Sequence, residues 1–378
     1  MRGTHLPCLL AWLAILALGA AACGPAAAPA SAPAAPAPVA GAPSAPTVAP
    51  PEAPAPTPAT AEPVRVAQTV SIGYAPIYLA DALGYYRELG IEMHLDDFPA
   101  SADVVPALAR GEVDVNVGAV AVGTFNAYLR GLELKIVAPM GILPLEDSSL
   151  PLLVRKDLLD SGAVTTVADL RGQRVAVNTP GAIVEYLLST ALASAGLTLS
   201  DVEEVPLPFP DHGQALATGS IAASITAEPF ATRSVTQGVA AKLGGPIAPG
   251  RMVTVVMYSG QFIRERNDLA RRWMVATMRG VRALQGPTLG VSSPDKMFTP
   301  ANLAIFEKYT GVSAQVIRDQ VSYTWDPDLE IQRDFILDQE QVHLRNGRLQ
   351  SAEPIPPENL IDDTFVRHAQ EVLGRVRQ

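Results

Sequence analysis

Apolar and polar positions follow two different periods in turn along the chain from Val64 onward. Short runs rich in β-branched residues precede segments whose apolar residues recur every three or four positions, the pattern of strands followed by helices. The predicted strands are residues 66–72, 91–95, 113–117 and 174–177. The predicted helices are residues 76–83, one capped by Ser101, and one that begins at Thr179-Pro180 and ends at Gly196. This repetition of strand and helix predicts an α/β fold.

A nine-residue segment occurs twice with the same predicted structure. ALARGEVDV at residues 107–115 and ALATGSIAA at residues 215–223 share four identities, and both predict a helix end, a glycine turn and a buried strand. Each copy also follows a strand, a loop and a longer helix. The repetition predicts two similarly built α/β lobes with a cleft between them.

The N-terminus has the composition of a secretory leader. An apolar run over residues 9–19 follows Arg2 and is too short to span a membrane, as in signal peptides. Cys23 follows Leu18 and four small residues, GAAA, and precedes glycine, which resembles a bacterial lipobox. We therefore predict a signal peptide over residues 1–22 and a diacylated Cys23. The alternative is an ordinary secretory signal that is cut nearby, with loss of Cys23.

The next segment cannot build a packed core. Residues 24–63 contain 13 of the 34 prolines and 16 alanines, and only Glu52 and Glu62 are charged. Alanine–proline sequence favours extended conformations. We predict that residues 23–63 are a lipid-attached linker that tethers a folded body starting near Val64.

The positions of the cysteines and the excess of acidic residues argue against several functions. Cys8 and Cys23 are the only cysteines, so the predicted body has no disulfide, thiolate metal site, cysteine nucleophile or thiol-tethered cofactor. The five histidines show no metal-ligand spacing. Without Arg2, 27 basic residues face 38 acidic ones, which opposes nucleic-acid binding and provides no polybasic membrane anchor.

Seven segments carry motifs that are specific when taken in this order and spacing. They are residues 71–80, 84–92, 170–181, 195–202, 227–232, 309–312 and 360–365. Together with the repeat, they resemble ABC-importer solute-binding proteins of the group that covers nitrate, sulfonate, taurine and thiamine-pyrimidine-precursor binders and includes riboflavin-binding members.

The resemblance implies a bilobed periplasmic-binding-protein fold of type II, in which two crossing strands join two α/β lobes that close on a ligand. Lobe one would combine residues 64–150 with 261–378, and lobe two would span residues 151–260. The candidate crossings are residues 152–155 and 253–258. One departure is Ala222, the counterpart of Asp114, where the family often has aspartate.

Ligand-binding residues are expected after the carboxyl ends of strands, where loops and helix starts converge. The candidates are Tyr74, Tyr78, Gly118, Ala119, Val120, Asn178, Thr179, Gly181, Phe209, Glu228 and Phe230. Each also has a purely structural interpretation. The tyrosines could be core, the Gly-Ala run tight packing, Thr179 a helix cap, and Glu228 a cap for a helix near Pro229.

The candidate residues suggest the ligand class. None is Lys or Arg, whereas a nitrate or sulfonate site must compensate a full negative charge. Aromatic rings and one carboxylate suit a planar, mostly neutral heterocycle, so we favour riboflavin or a thiamine pyrimidine precursor. Because helix N-termini alone can bind a sulfonate, an alkanesulfonate such as taurine, or nitrate, is the alternative. A ligand-sensing domain for a membrane receptor is a second alternative.

Catalysis is not expected. Relatives that make the thiamine pyrimidine or assemble porphyrin precursors need cysteines that residues 24–378 lack, and no nucleophile, phosphate-loop or dinucleotide motif occurs. We expect no catalytic residue, metal or cofactor. The expected partners are a small-molecule ligand, the ABC permease and ATPase subunits, and the membrane through the lipid on Cys23. We expect a monomer on the extracytoplasmic face of the cell membrane, periplasmic or extracellular.

The lipoprotein hypothesis predicts that Cys23→Ala releases the protein from the membrane fraction, because the acyl chains have no other attachment point. Fractionation of cells that express the full chain measures this, with Cys8→Ala as the matched control. A Cys23→Ala protein that stays in the membrane fraction contradicts the hypothesis.

Overall fold

The computed structural model describes residues 61–98, 101–285, 289, 291, 293–351 and 353–376. The predicted signal peptide, Cys23 and nearly all of the predicted linker lie outside the described residues. The first strand begins at Glu62, so the folded body starts two residues before Val64. Within the described ranges, no helix combines the length and the apolar character that crossing a membrane requires.

The described residues form ten strands and sixteen α-helices. The strands are β1 Glu62–Gln68, β2 Ile91–Asp97, β3 Val115–Gly118, β4 Leu134–Pro139, β5 Leu152–Arg155, β6 Arg174–Val177, β7 Glu203–Pro206, β8 Ala223–Ile225, β9 Ala240–Lys242 and β10 Val255–Ser259. The first eight helices are α1 Ala75–Ala82, α2 Tyr85–Glu88, α3 Ser101–Ala109, α4 Val122–Leu129, α5 Lys156–Asp160, α6 Ile183–Ser194, α7 Phe209–Thr218 and α8 Phe230–Thr236. The others are α9 Gly260–Glu265, α10 Asn267–Leu284, α11 Pro294–Met297, α12 Pro300–Thr310, α13 Ala314–Asp319, α14 Arg333–Arg345, α15 Pro357–Leu360 and α16 Thr364–Leu373.

The strands form two five-stranded mixed sheets with the same plan. The first has the order β2-β1-β3-β10-β4 and the second the order β7-β6-β8-β5-β9. In each sheet three parallel strands are followed by one antiparallel strand, β10 or β5. We call the first sheet with α1–α4, α9, α10 and α16 the first lobe, and the second sheet with α5–α8 the second lobe. The predicted two-lobed α/β fold is confirmed.

The chain passes between the sheets twice. It leaves the first sheet after β4 and returns after β9, and the two passing segments pair with each other. The Met140 N–H donates to the Thr254 carbonyl oxygen over 2.8 Å, and Ile142 forms an antiparallel bridge with Met252. The segments expected as crossings are placed inside the sheets, residues 152–155 as β5 and most of residues 253–258 as β10. The chain of the first lobe therefore resumes at β10, before residue 261.

The sequence repeat marks equivalent positions in the two lobes. The first copy is contacted by Arg65, on the neighbouring strand β1. Its guanidinium donates to the Gly111 carbonyl oxygen (2.7 Å) and to the Asp114 carboxylate (2.7 Å). In the second copy, Arg174 donates to the Ser220 carbonyl oxygen over 2.5 Å. Ala222 offers no carboxylate there, so the second copy lacks the counterpart of the Asp114 ion pairs with Arg65 and Arg266, and the turn is intact.

Aromatic side chains fill the core of the first lobe. The Tyr258 ring lies in the middle, with its centre 5.2 Å from Phe262, 5.9 Å from Trp273 and 5.0 Å from Phe365, each edge to face. Tyr86 extends the group, 5.5 Å from Trp273. Edge-to-face pairs add to the free energy of burial, so this cluster fixes α10 and α16 against β10.

Most predicted elements are found, with shifted ends. The strand at residues 174–177 agrees with β6, whereas the strand predicted over residues 66–72 ends at Gln68. The helix expected from Thr179-Pro180 begins only at Ile183, because Gly181 has a φ of +74°. A left-handed residue cannot continue a right-handed helix, so residues 178–181 form a loop.

Gly280 sets how closely α10 approaches α1. A Cβ atom at this position would lie 2.2 Å from the Pro76 carbonyl oxygen and 2.8 Å from the Ala80 Cβ. We predict that Gly280→Ala lowers the free energy of unfolding by about 2 kcal/mol through overpacking. Urea denaturation measures the change.

Gly123→Ala is the control, since nothing lies within 4 Å of a Cβ at that helical position. There the higher helix propensity of alanine should raise stability by up to about 1 kcal/mol. Equal and same-sign effects would contradict the close approach of α1 and α10.

Candidate ligand-binding site

A cavity of about 600 Å³ lies where the carboxyl ends of parallel strands from both sheets meet. Each of four strands supplies the lining residues that follow it, beginning with Thr69 after β1, Ala119 after β3, Asn178 after β6 and Ala227 after β8. Ligands of α/β sheets bind at such strand ends. The cavity between the lobes is therefore the candidate site.

The first-lobe wall is built around Tyr74. Its hydroxyl lies 3.2 Å from the Thr69 hydroxyl, and burial raises the pKa of the phenol to about 12, so it stays neutral. The Trp325 indole N–H donates to the Gly73 carbonyl oxygen over 2.8 Å. Tyr323 lies next to Gly73 and also faces the cavity. This wall is aromatic, and the hydrogen bond from Trp325 holds its backbone in place.

The second-lobe wall contains the loop of residues 178–181. The Gly181 N–H donates to the Glu185 carboxylate over 2.9 Å, and the Gly181 carbonyl oxygen accepts from the Val122 N–H over 2.8 Å. Val122 begins α4 of the first lobe. The loop thus lines the cavity and contacts the opposite lobe.

Glu228 both caps α8 and lines the cavity. Its two carboxylate oxygens accept hydrogen bonds from Thr232, one from the backbone N–H over 3.0 Å and one from the hydroxyl over 2.9 Å. Burial raises the pKa of Glu228 because the charged form loses solvation, and the bonds from Thr232 act in the opposite direction. The capping interpretation is confirmed and coexists with a place on the cavity wall.

Three phenylalanines add apolar surface. Phe98, Phe209 and Phe230 all line the cavity. The Phe209 ring packs edge to face on His212 with 5.5 Å between centres. The Arg233 guanidinium lies 5.3 Å from the centre of the Phe230 ring but does not line the cavity. Among the described lining residues, none is Lys or Arg and the only carboxylate is Glu228.

Two polar groups on the wall lack partners within the described part of the chain. The side-chain oxygen Oδ1 of Asn178 and the side-chain nitrogen Nε2 of Gln320 are both buried without a hydrogen bond. Gln320 is only 6% exposed. Buried polar atoms usually find partners. Both side chains line the cavity, so rotation of each amide would present this acceptor and this donor to a ligand.

Eight predicted residues line the cavity. They are Tyr74, Ala119, Asn178, Thr179, Gly181, Phe209, Glu228 and Phe230. Tyr78, Gly118 and Val120 do not line it. The Tyr78 hydroxyl donates to Gln68 over 2.7 Å, and its ring stacks on Tyr309 at 5.0 Å. Gly118 is the last residue of β3, and Val120 is core.

Several lining residues lie outside the sequence prediction. Thr69 and Phe98 directly follow β1 and β2, so their position after a strand was the available signal. Gln320 and Tyr323 come from the irregular segment between α13 and α14, which returns to the site from far along the chain. In the described ranges, no cluster of three or more His, Cys, Asp or Glu side chains could hold a metal ion.

Solved structures share this fold. The alkanesulfonate-binding protein SsuA from Xanthomonas axonopodis pv. citri, solved with MOPS, has a TM-score of 0.58 and 18% identity, covering 82% of this chain and 98% of its own. The periplasmic nitrate-binding protein NrtA from Synechocystis PCC 6803 has a TM-score of 0.66 and 12% identity, covering 83% and 89%. The desulfurization enzyme DSZB has a TM-score of 0.55 and 18% identity, covering 82% and 99%. The chain therefore has the bilobed periplasmic-binding-protein fold.

The family follows from the sequence itself. A profile of the family described as NMT1/THI5 like matches residues 71–287, more than half of the chain. The chain belongs to the NMT1/THI5-like family, which confirms the resemblance seen in its motifs. No curated protein sequence gives a significant match.

The different surroundings of the two tyrosines predict different variant effects. Tyr78→Phe leaves the Oε1 atom of Gln68 without its donor in the core, so we expect a loss of about 1–3 kcal/mol in unfolding free energy. Tyr74→Phe removes only a 3.2 Å contact at the cavity wall and should cost less. Urea denaturation of both variants tests the ranking, and the reverse order would show that the Tyr74–Thr69 contact stabilises the protein more than the Tyr78–Gln68 hydrogen bond does.

Proposed function

We propose that this protein is the solute-binding component of an ABC importer and that it captures a small, planar, mostly neutral heterocycle between its lobes for delivery to the permease. The family and the fold support the binding role. The ligand class is inferred from the chemistry of the cavity wall. The described lining residues include five aromatic side chains, one carboxylate and no cation.

Charge opposes an anionic ligand. Glu228 would repel a sulfonate or nitrate whenever it is ionised, and no lysine or arginine on the described wall offsets it. Anion sites without cations depend on free N–H groups at helix starts. Here the N–H groups of Val122, Gly181 and Thr232 already donate within the protein. These three groups therefore offer no compensation to a full negative charge.

The unpartnered groups suit a heterocycle that carries an amino group. Gln320 Nε2 can donate to a ring nitrogen, whereas Asn178 Oδ1 and Glu228 can accept from an amino group or hydroxyl. The half-buried rings of Phe209 and Phe230 supply apolar faces for stacking. A cavity of about 600 Å³ is within the range of small-molecule sites. An aminopyrimidine of the thiamine-precursor type and riboflavin fit this description.

A sulfonate or nitrate is the second candidate ligand. It is favoured by the structural neighbours, which include proteins described as alkanesulfonate-binding and nitrate-binding. Gln320 Nε2 would then donate to an anion oxygen.

Capture is favoured over turnover. The fold alone does not separate the two, because the desulfurization enzyme DSZB shares it. The polar groups on the described cavity wall include neither a cysteine nor a histidine, and the importer role needs none. A sensing role would use the same cavity, and uptake assays with the cognate permease distinguish import from sensing.

Calorimetric titration of ligand-free protein with riboflavin, the hydroxymethyl aminopyrimidine precursor of thiamine, and taurine tests the ligand class. We expect one of the two heterocycles to bind and taurine not to bind. Tight binding of taurine alone would overturn the proposal.

Glu228→Gln sharpens the test. Loss of a charge-assisted hydrogen bond to an amino group should weaken heterocycle binding by about tenfold or more. Glu203→Gln removes a carboxylate from the same lobe outside the cavity and should leave binding unchanged. If Glu228→Gln binds the heterocycle as tightly as the unmodified protein, the carboxylate does not contact the ligand.

A further inference from the structure

The loop of residues 178–181 is held by a chain of buried contacts that begins at Glu185. This side chain lies on the first turn of α6 and is fully buried. Its Oε2 atom accepts from the Gly181 N–H over 2.9 Å. A buried carboxylate is costly unless it is paired, and the partner lies on a different part of the chain.

That partner is Arg348, in the segment after α14. Its Nη2 atom donates to Glu185 Oε2 over 2.5 Å and to Glu204 Oε2, on β7, over 2.9 Å. Its Nε atom lies 3.3 Å from Glu185 Oε1. One guanidinium therefore joins two carboxylates of the second lobe.

The Arg348 segment is anchored on the first lobe. Asn126, on α4, accepts a hydrogen bond through Oδ1 from the Gln350 N–H over 2.9 Å. The same helix begins at Val122, whose N–H donates to the Gly181 carbonyl oxygen. The contacts thus connect α4 to Gly181 in two ways. One is the direct bond from Val122, and the other runs from Asn126 through the Arg348 segment and Glu185.

The contact between the loop of residues 178–181 and α4 favours glycine at position 181. Its φ is +74°, and a Cβ atom there would lie 3.0 Å from a Val122 methyl carbon. Both the backbone conformation and the close contact favour glycine. The loop is therefore pressed against the first lobe at the edge of the cavity.

We propose that Glu185 and Arg348 are positioning residues for the cavity, and that their ion pair holds the loop of residues 178–181 against α4 when the lobes are closed. Separation of the lobes must break this pair or detach the Arg348 segment from α4. This role does not depend on which ligand binds, so it is tested independently of the proposed ligand class.

The charges of the cluster give the pair a pH dependence. Burial, and then the nearby charge of Glu185, raise the pKa of Glu204 to about 7. Burial lowers the pKa of His343, 3.9 Å from Glu185, to about 4, so this ring is neutral. Above pH 7 two carboxylates share one guanidinium and repel each other. Among the other charged groups on the adjoining elements, Asp338 accepts from Tyr186, Arg174 pairs with Glu203, Asp201 pairs with Arg171, and Glu340 accepts from the Ile355 N–H. Arg345, on α14, lines the same surface depression as Arg348.

Hydrogen–deuterium exchange of the full chain without ligand tests the proposal. In Arg348→Met, protection of the amides of Gly181 and Val122 should fall by about tenfold, as expected when one partner of a partly buried ion pair is removed. Arg333→Met is the matched control, because Arg333 lies on α14 and its ion-pair partner is Asp363, just before α16 of the first lobe, over 2.8 Å. It should leave both amides protected.

Two further variants separate positioning from general stability. Glu185→Gln keeps an acceptor for the Gly181 N–H but loses the charge, so it should reduce protection less than Arg348→Met does. In the unmodified protein, the closed state binds the Glu204 proton more tightly than the opened state, so protection at Gly181 should fall as the pH rises from about 5 to about 7 and stay level above that. Glu204→Gln should abolish this dependence. Unchanged protection in both Arg348→Met and Glu185→Gln, or an equal loss in Arg333→Met, would overturn the proposal.

Discussion

The double passage of the chain between its sheets is the constraint on which the cavity depends. Each sheet receives its antiparallel strand directly after a passage, β5 in the second lobe and β10 in the first. The passing segments are joined by the Met140–Thr254 backbone bond and by the Gly141 N–H, which donates to the Thr254 hydroxyl over 2.7 Å. Because each lobe is anchored at this junction, the ends of β1, β3, β6 and β8 face one another across one cavity.

Two groups of polar side chains at the contact between the lobes differ in their chemistry. Around the cavity, among the residues that the structure describes, aromatic and aliphatic groups surround one carboxylate, and a donor and an acceptor have no protein partner. Behind the loop at Gly181, by contrast, the charges of Glu185 and Arg348 are matched within the protein. Selection of a ligand and the contact between the lobes therefore depend on separate sets of side chains that share only one loop.

The sequence predicted the parts of the fold and site that depend on local order. Strands end where apolar runs end, so Asn178 and Glu228 could be placed at a cavity. Tyr78 shows the limit of this reasoning. Its spacing from Tyr74 suggested a shared face, but its ring stacks on Tyr309, which is distant in sequence. Gln320 and Arg348 likewise reach their positions through long-range packing that no local pattern encodes.

The order of the strands has a consequence for how the chain folds as it emerges from a ribosome or a translocation channel. The second sheet is complete once β9 has emerged at Lys242, because all five of its strands lie in one continuous segment. The first sheet must wait for β10, which inserts between β3 and β4. Until then, β3 and β4 lack their shared neighbour, so the N-terminal half of the first lobe is the part of the molecule that most needs protection from misfolding during synthesis.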